Sequence, residues 1–182
     1  MLSLPLADDA ELRPLEPWAV DEFSQHIAAA REYLEPWLPL VQRVSEPEGA
    51  KGLLQHYADA QARGEGRIMG IWVNDKLSGG VLFRIWENKT GMCELGVWLA
   101  PEAVGRGLIT KAATAMIDWA FQVRGMHRAE WRCNPANERS SAVARRLGMK
   151  RDGTLREAFV HNDQHQDVQV WSVLATEWPT AR

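Results

Sequence analysis

The chain has 182 residues and sets 21 Lys and Arg against 24 Asp and Glu, a formal net charge of −3. That length allows one domain with a sizeable core, and the slightly acidic balance gives a nucleic-acid partner no electrostatic support. No apolar run approaches the roughly 20 residues a membrane span needs, and Met1 to Asp9 carries acidic residues where a signal peptide needs basic ones, so a cytoplasmic protein with no membrane partner is expected.

Glu11 to Leu15 reads as the first strand. Pro17 opens a helix over Trp18 to Tyr33, which Pro36 and Pro39 end. Ser45, with Glu48 three residues later, is a capping-box pair for a second helix to about Arg63, a helix that Gly49 and Gly52 weaken. Arg67 to Val73 and Leu77 to Trp86 read as strands joined by a hairpin turn at Asn74-Asp75-Lys76. After a turn at Asn88 to Gly91, Cys93 to Leu99 alternates as a strand: Cys93, Leu95, Val97 and Leu99 fall on one face, Glu94, Gly96 and Trp98 on the other. Ile109, Ala112, Ala113, Met116, Ile117 and Ala120 then recur at helical spacing. Arg128 to Cys133 reads as a strand, Asn137 to Leu147 as a helix stopped by Gly148, and Thr154 to Val160 and Gln166 to Leu174 as the closing strands. The pattern predicts an α/β protein whose mixed sheet is covered by helices.

The richest stretch joins the Cys93 to Leu99 strand to the helix at Ile109. Between them lie Pro101 and then Gly105-Arg106-Gly107. Such a loop can aim consecutive backbone N–H groups at one point, at the positive end of a helix. That makes an anion site suited to a diphosphate. No Lys-Ser/Thr pair follows the glycines, so a P-loop is rejected. Cys93 and Cys133 lack metal-type spacing and are expected as buried free thiols. Cys93 as an acyl-enzyme nucleophile has no histidine near it in sequence. His161, Asp163, His165 and Asp167 fall on the last hairpin turn, where polar residues are expected, and no metal site is assigned to them. The nine tryptophans are scattered along the chain and read as core or interface side chains.

Four blocks, in this order, resemble the GNAT superfamily of acyl-CoA-dependent N-acyltransferases, and in particular its ribosomal-protein N-terminal acetyltransferase branch. Tyr33-Leu-Glu-Pro-Trp-Leu-Pro39 is similar to the branch's Leu-x-Pro-Trp segment. Val104-Gly-Arg-Gly-Leu-Ile109 occupies the family's CoA loop; Gly107 and the Gly105-Arg106 pair fit it. Val104 and Ile109 depart from it, while Ile109-Thr110 resembles the branch's own variant. Asn137-Glu-Arg-Ser140 through Gly148-Met149 is similar to the Asn-x-x-Ser…Gly-Phe segment. Gly153 to Glu157, with Asp167, resembles the last hairpin.

The resemblance implies a single GNAT domain over residues 1–182, with a mixed, mostly antiparallel seven-stranded sheet flanked by about four helices. It implies acetyl-CoA as cosubstrate and no metal. The diphosphate falls to Gly105, Arg106, Gly107, Leu108, Ile109 and Thr110, and the pantetheine arm to the backbone of Val97, Trp98 and Leu99, with Asn137 touching the arm or capping its helix. Glu94 sits where the family often carries a catalytic Glu and is the candidate base; the competing role is a structural carboxylate paired with an arginine. Many family members use a tyrosine acid at the position of Ala144. With tyrosines only at 33 and 57, Ser140 becomes the candidate for assisting the departing sulfur. The favoured acceptor is a protein N-terminal α-amino group. A small amine of antibiotic or polyamine type and a catalytically weak acyl-CoA sensor are the alternatives, and a homodimer is compatible with all of them.

Overall fold

Two-residue turns set the register of two strand pairs. In the computed structural model, which describes residues 3–44 and 46–179, Asn74 and Asp75 take φ of 49° and 59°, and Asn162 and Asp163 take 50° and 57°. Positive φ at both central residues matches the right-handed twist of a hairpin, and Asn and Asp tolerate it better than other side chains.

In chain order the elements are β1 (Leu4–Ala7), β2 (Ala10–Pro14), α1 (Val20–Ala29), α2 (Arg31–Leu34), α3 (Leu40–Arg43), α4 (Pro47–Arg63), β3 (Ile68–Val73), β4 (Lys76–Glu87), β5 (Met92–Leu99), α5 (Leu108–Asp118), β6 (Arg128–Cys133), α6 (Glu138–Arg146), β7 (Lys150–His161) and β8 (Gln164–Leu174). The sheet order is β1-β2-β3-β4-β5-β6-β8-β7. β5 and β6 pair in parallel, while β1–β2, β2–β3, β3–β4, β6–β8 and β7–β8 are antiparallel.

The expectation of seven strands and about four helices is therefore corrected, among the described residues, to eight strands and six α-helices. The additional strand is β1, a short stretch that contains Pro5 and buries Leu6. Proline is tolerated at a sheet edge but hides the strand's alternation. The single helix expected over residues 18–33 is a 3-10 turn at Pro17–Ala19 followed by α1 and α2, which separate at Ala30. Pro39, read as a stop, also starts the short α3. The Ser45 cap lies outside the described residues; α4 begins with Pro47 in its first turn and ends at Gly64, φ 74°. Gly49 is required rather than weakening, because a Cβ there would meet the Arg43 carbonyl oxygen at 2.1 Å. β7 starts earlier than expected because its first residues are polar and exposed, so no alternation marks them.

The chain forms two compact units. The first comprises residues 1–83 and 97–112, and its core gathers Phe23, Ile27, Leu54, Trp72, Leu77 and Trp98. Phe23 is fully buried and meets Trp98 edge-on, with centroids 5.9 Å apart; truncating such a ring costs about 3–5 kcal/mol. The second comprises residues 84–96 and 113–182, with Trp131, Ile117 and Ala144 among its buried side chains. Among the described residues no helix is long and apolar enough to cross a membrane.

Candidate active site

In the first unit, β5 ends at Leu99. A 3-10 turn at Pro101–Ala103 follows, then extended Val104, then the glycine loop into α5. Gly105 and Gly107 take φ of 85° and 72°, a region closed to most L-residues. A Cβ at either would meet nothing within 4 Å, so their role is conformational and the space above the loop is open to a ligand. The Gly107 carbonyl oxygen accepts from Lys111 N–H at 3.1 Å, closing the first turn of α5. Leu108, Ala112, Ala113, Met116 and Ile117 bury one stripe of that helix, which holds its N-terminus in place. The early N–H groups of a helix have no intrahelical partner and carry its positive end. Ile109 and Thr110 stand half-buried in the first turn. Arg106 pairs with Asp9, and that hydrogen bond holds the Asp9 carboxyl below the usual carboxylate range.

Trp98 anchors the end of β5. Its ring lies over Gly80, where a Cβ would approach it to 2.2 Å, and its indole N–H donates to His26 Nε2 at 3.1 Å. Burial pushes the His26 imidazole down to about 4, so the ring is neutral and able to accept. The backbone of Val97, Trp98 and Leu99 is thus fixed from α1.

In the second unit, Glu94 is buried, with 2% of its side chain exposed, and its partners are arginines. Arg84 donates through Nε and Nη2 to both carboxylate oxygens, at 2.5 and 2.8 Å, while Arg132 Nε stands 3.4 Å from Oε2. Arg132 also donates to Glu130, Arg128 bonds Glu130 from the other side, and Arg128 reaches Asp152. The charges alternate as Arg84, Glu94, Arg132, Glu130, Arg128 and Asp152 from β4 to β7. The register pairs Glu94 with Glu130, and Arg132 is the cation that makes two carboxylates on one face tolerable. An arginine partner for Glu94 is the competing role stated above; which arginines supply it, Arg84 and Arg132, is what the sequence does not name. Their partners lie on neighbouring strands, and the signal available was Arg128-x-Glu130-x-Arg132 alternating on β6.

Ser140 and Asn137 sit at the start of α6. Asn137 caps the helix, its Oδ1 accepting from Ser140 N–H at 3.1 Å, which satisfies an otherwise orphaned donor. Ser140 Oγ accepts the indole N–H of Trp131 at 2.9 Å. Trp131 pairs in register with Leu95, so it projects from the sheet face opposite Glu94. Within this unit Ser140 and Asn137 are together, and Glu94 belongs to the other face. Ala144 is fully buried, and the Tyr57 hydroxyl donates to the Phe83 carbonyl oxygen. Burial, helped by the charge of Glu130, pushes the Cys93 thiol up to about 12, which leaves no thiolate for nucleophilic attack. Among the described residues no group of three or more His, Cys, Asp or Glu could hold a metal ion.

The family model of the acetyltransferase (GNAT) domain matches residues 10–150. The ribosomal-protein-serine acetyltransferase of Escherichia coli (strain K12) is 26% identical over 170 residues, covering 93% of this chain and 95% of that protein. Two solved structures share the fold. One, a RimL ribosomal L7/L12 α-N-protein acetyltransferase in complex with coenzyme A, has a TM-score of 0.88 at 22% identity, over 94% of this chain and 97% of that one. The other, the microcin C7 self-immunity acetyltransferase MccE in complex with acetyl-CoA and AMP, has a TM-score of 0.86 at 20% identity, over 95% and 96%.

Proposed function

Since the chain belongs to the GNAT acetyltransferase family, we propose that it transfers the acetyl group of acetyl-CoA directly to the α-amino group of a protein N-terminus. The observation that carries this is the glycine loop: two left-handed glycines with open space over them, at the start of a helix held by its buried stripe. That arrangement fits a diphosphate. The acceptor class rests on the relatives, of which the Escherichia coli protein, alignable over nearly the whole chain, acts on a ribosomal-protein serine. The family match runs through both compact units, which supports one acetyltransferase domain.

Gly105 to Thr110 hold the diphosphate, the backbone of Val97 to Leu99 pairs with the pantetheine amides as an added strand would, and the Asn137 side-chain amide, its oxygen used in the cap, offers N–H to the arm. Arg106 contributes by exchanging Asp9 for phosphate. A thioester is already activated, so holding it beside the amine supplies effective molarities on the order of 10⁵ M or more. β5 and β6 stop pairing after Leu95–Trp131, and in that opening Glu94, from the face opposite Ser140, receives the amine's proton. An ionised carboxylate offers about four acceptor sites; Arg84 takes two and Arg132 stands at a third, so the fourth serves a water that relays the proton. The nitrogen–carbon bond forms, the carbon–sulfur bond breaks with its electron pair on sulfur, and Ser140 hydrogen-bonds the departing thiolate. A thiol of pKa about 8.5 needs little more help than that.

Acceptor-dependent release of free CoA tests the proposal. Release of thiol from acetyl-CoA should require a peptide with a free N-terminus. Binding of acetyl-CoA without turnover against peptides, spermidine and aminoglycosides would instead identify a sensor.

A further inference from the structure

We infer that Trp131 is a positioning residue that makes Ser140 a hydrogen-bond donor toward the leaving group, an inference that rests on the role proposed above for Ser140. A serine hydroxyl ordinarily chooses its role: it can donate, accept, or turn back on the helix backbone. Ser140 does not have that choice. Its Oγ receives the Trp131 indole N–H at 2.9 Å. An indole nitrogen only donates, so across this contact the serine only accepts. Trp131 is 2% exposed on β6 and cannot swing away to release it. The hydroxyl proton therefore points elsewhere. The Ser140 backbone N–H is already taken by Asn137 Oδ1 at 3.1 Å.

The next residue supplies the contrast. Ser141 Oγ lies 3.4 Å from the Asn137 carbonyl oxygen and 3.2 Å from Gln169 Oε1, both acceptors, so its hydroxyl is used inward as a donor. Two adjacent serines in one helical turn thus have opposite assignments. Ser141 is the backbone-bonding helix serine; Ser140 is held with a lone pair engaged by Trp131, which directs its proton away from that contact. Accepting a hydrogen bond also polarises the O–H, strengthening the bond it donates by about 10–30%. Trp131 itself is buried. It acts by fixing which atom of Ser140 the departing sulfur meets, and no net proton is consumed from either side chain.

A double-mutant cycle with Trp131→Phe and Ser140→Ala in the full chain tests this, read as single-turnover rate at saturating acetyl-CoA and acceptor peptide, with acetyl-CoA affinity by calorimetry. Ser140→Ala should slow the chemical step by about tenfold to a hundredfold, and Trp131→Phe by about threefold to tenfold. Neither should change the affinity, and the double variant should match Ser140→Ala alone. If Trp131→Phe slows the Ser140→Ala protein by the same factor as the wild type, tryptophan acts through packing and the inference is overturned. If Ser140→Ala runs at the wild-type rate, the role of Ser140 falls first and this inference with it. Should Trp131→Phe not fold, the Trp131 indole proton resonance decides. Ser140→Ala should shift it upfield and speed its exchange with solvent, and an unchanged resonance and exchange rate overturn the inference.

Discussion

Protonating His26 should loosen the first unit, because the neutral ring is the acceptor for Trp98. An imidazolium has donors at both nitrogens, so below its pKa the Trp98 N–H and a ring N–H would face each other at 3.1 Å. Burial holds the folded value at about 4 against 6.5 for the free side chain. Around the ring, Glu22 on α1 and Glu102 after β5 favour the charged form and Lys76 on β4 opposes it, with a backbone hydrogen bond to Leu77. The sign follows directly. Between pH 6.5 and about 4 the unfolded chain binds a proton that the folded chain does not. Stability from this group is present above 6.5 and is lost as pH falls toward 4. That difference is worth about 3 kcal/mol in order of magnitude. Urea denaturation followed by tryptophan fluorescence from pH 7.5 to 4 reads it. His26→Gln keeps an acceptor for Trp98 without a titrating ring, and its stability should fall less over that range by about 3 kcal/mol. Parallel pH curves for the two proteins would refute the reasoning.

Gly107→Val should weaken acetyl-CoA binding by at least about tenfold in calorimetry, since a β-branched residue resists a φ of 72°. Glu94→Gln should cut the transfer rate by about 10²–10⁴ with little change in acetyl-CoA affinity; near wild-type turnover from pH 6 to 9 would make Glu94 a purely structural partner of Arg84. Asp9→Asn releases Arg106 from its ion pair and should tighten acetyl-CoA binding by about twofold to fivefold at low salt, an effect that added salt erases.

The strand–loop–helix unit was legible because each piece has a local cause: alternation from Cys93 to Leu99, left-handed glycines at 105 and 107, and an apolar stripe from Leu108 to Ile117. The cap at Asn137 and the stop at Gly148 are equally local. What escaped depends on side chains far apart in sequence. Arg84 and Glu94 meet from neighbouring strands, Arg132 joins them from a third, and His26 reaches Trp98 across 72 residues. Glu94 could be chosen by its place on β5, but its clamp could not. Ser140 could be chosen by the absence of a tyrosine at 144, yet the buried tryptophan that sets its hydrogen lies nine residues upstream on β6. β1 was missed because Pro5 interrupts the only cue that four residues provide.

The central claim, acetyl transfer from acetyl-CoA to a protein α-amino group, is tested most directly by tandem mass spectrometry of a peptide that carries both a free N-terminus and an internal lysine, incubated with protein and acetyl-CoA. One acetyl group on the N-terminal nitrogen, lost when that terminus is blocked, is the predicted result. An acetyl group on the lysine, or an unmodified peptide in a mixture where spermidine is acetylated, would contradict it.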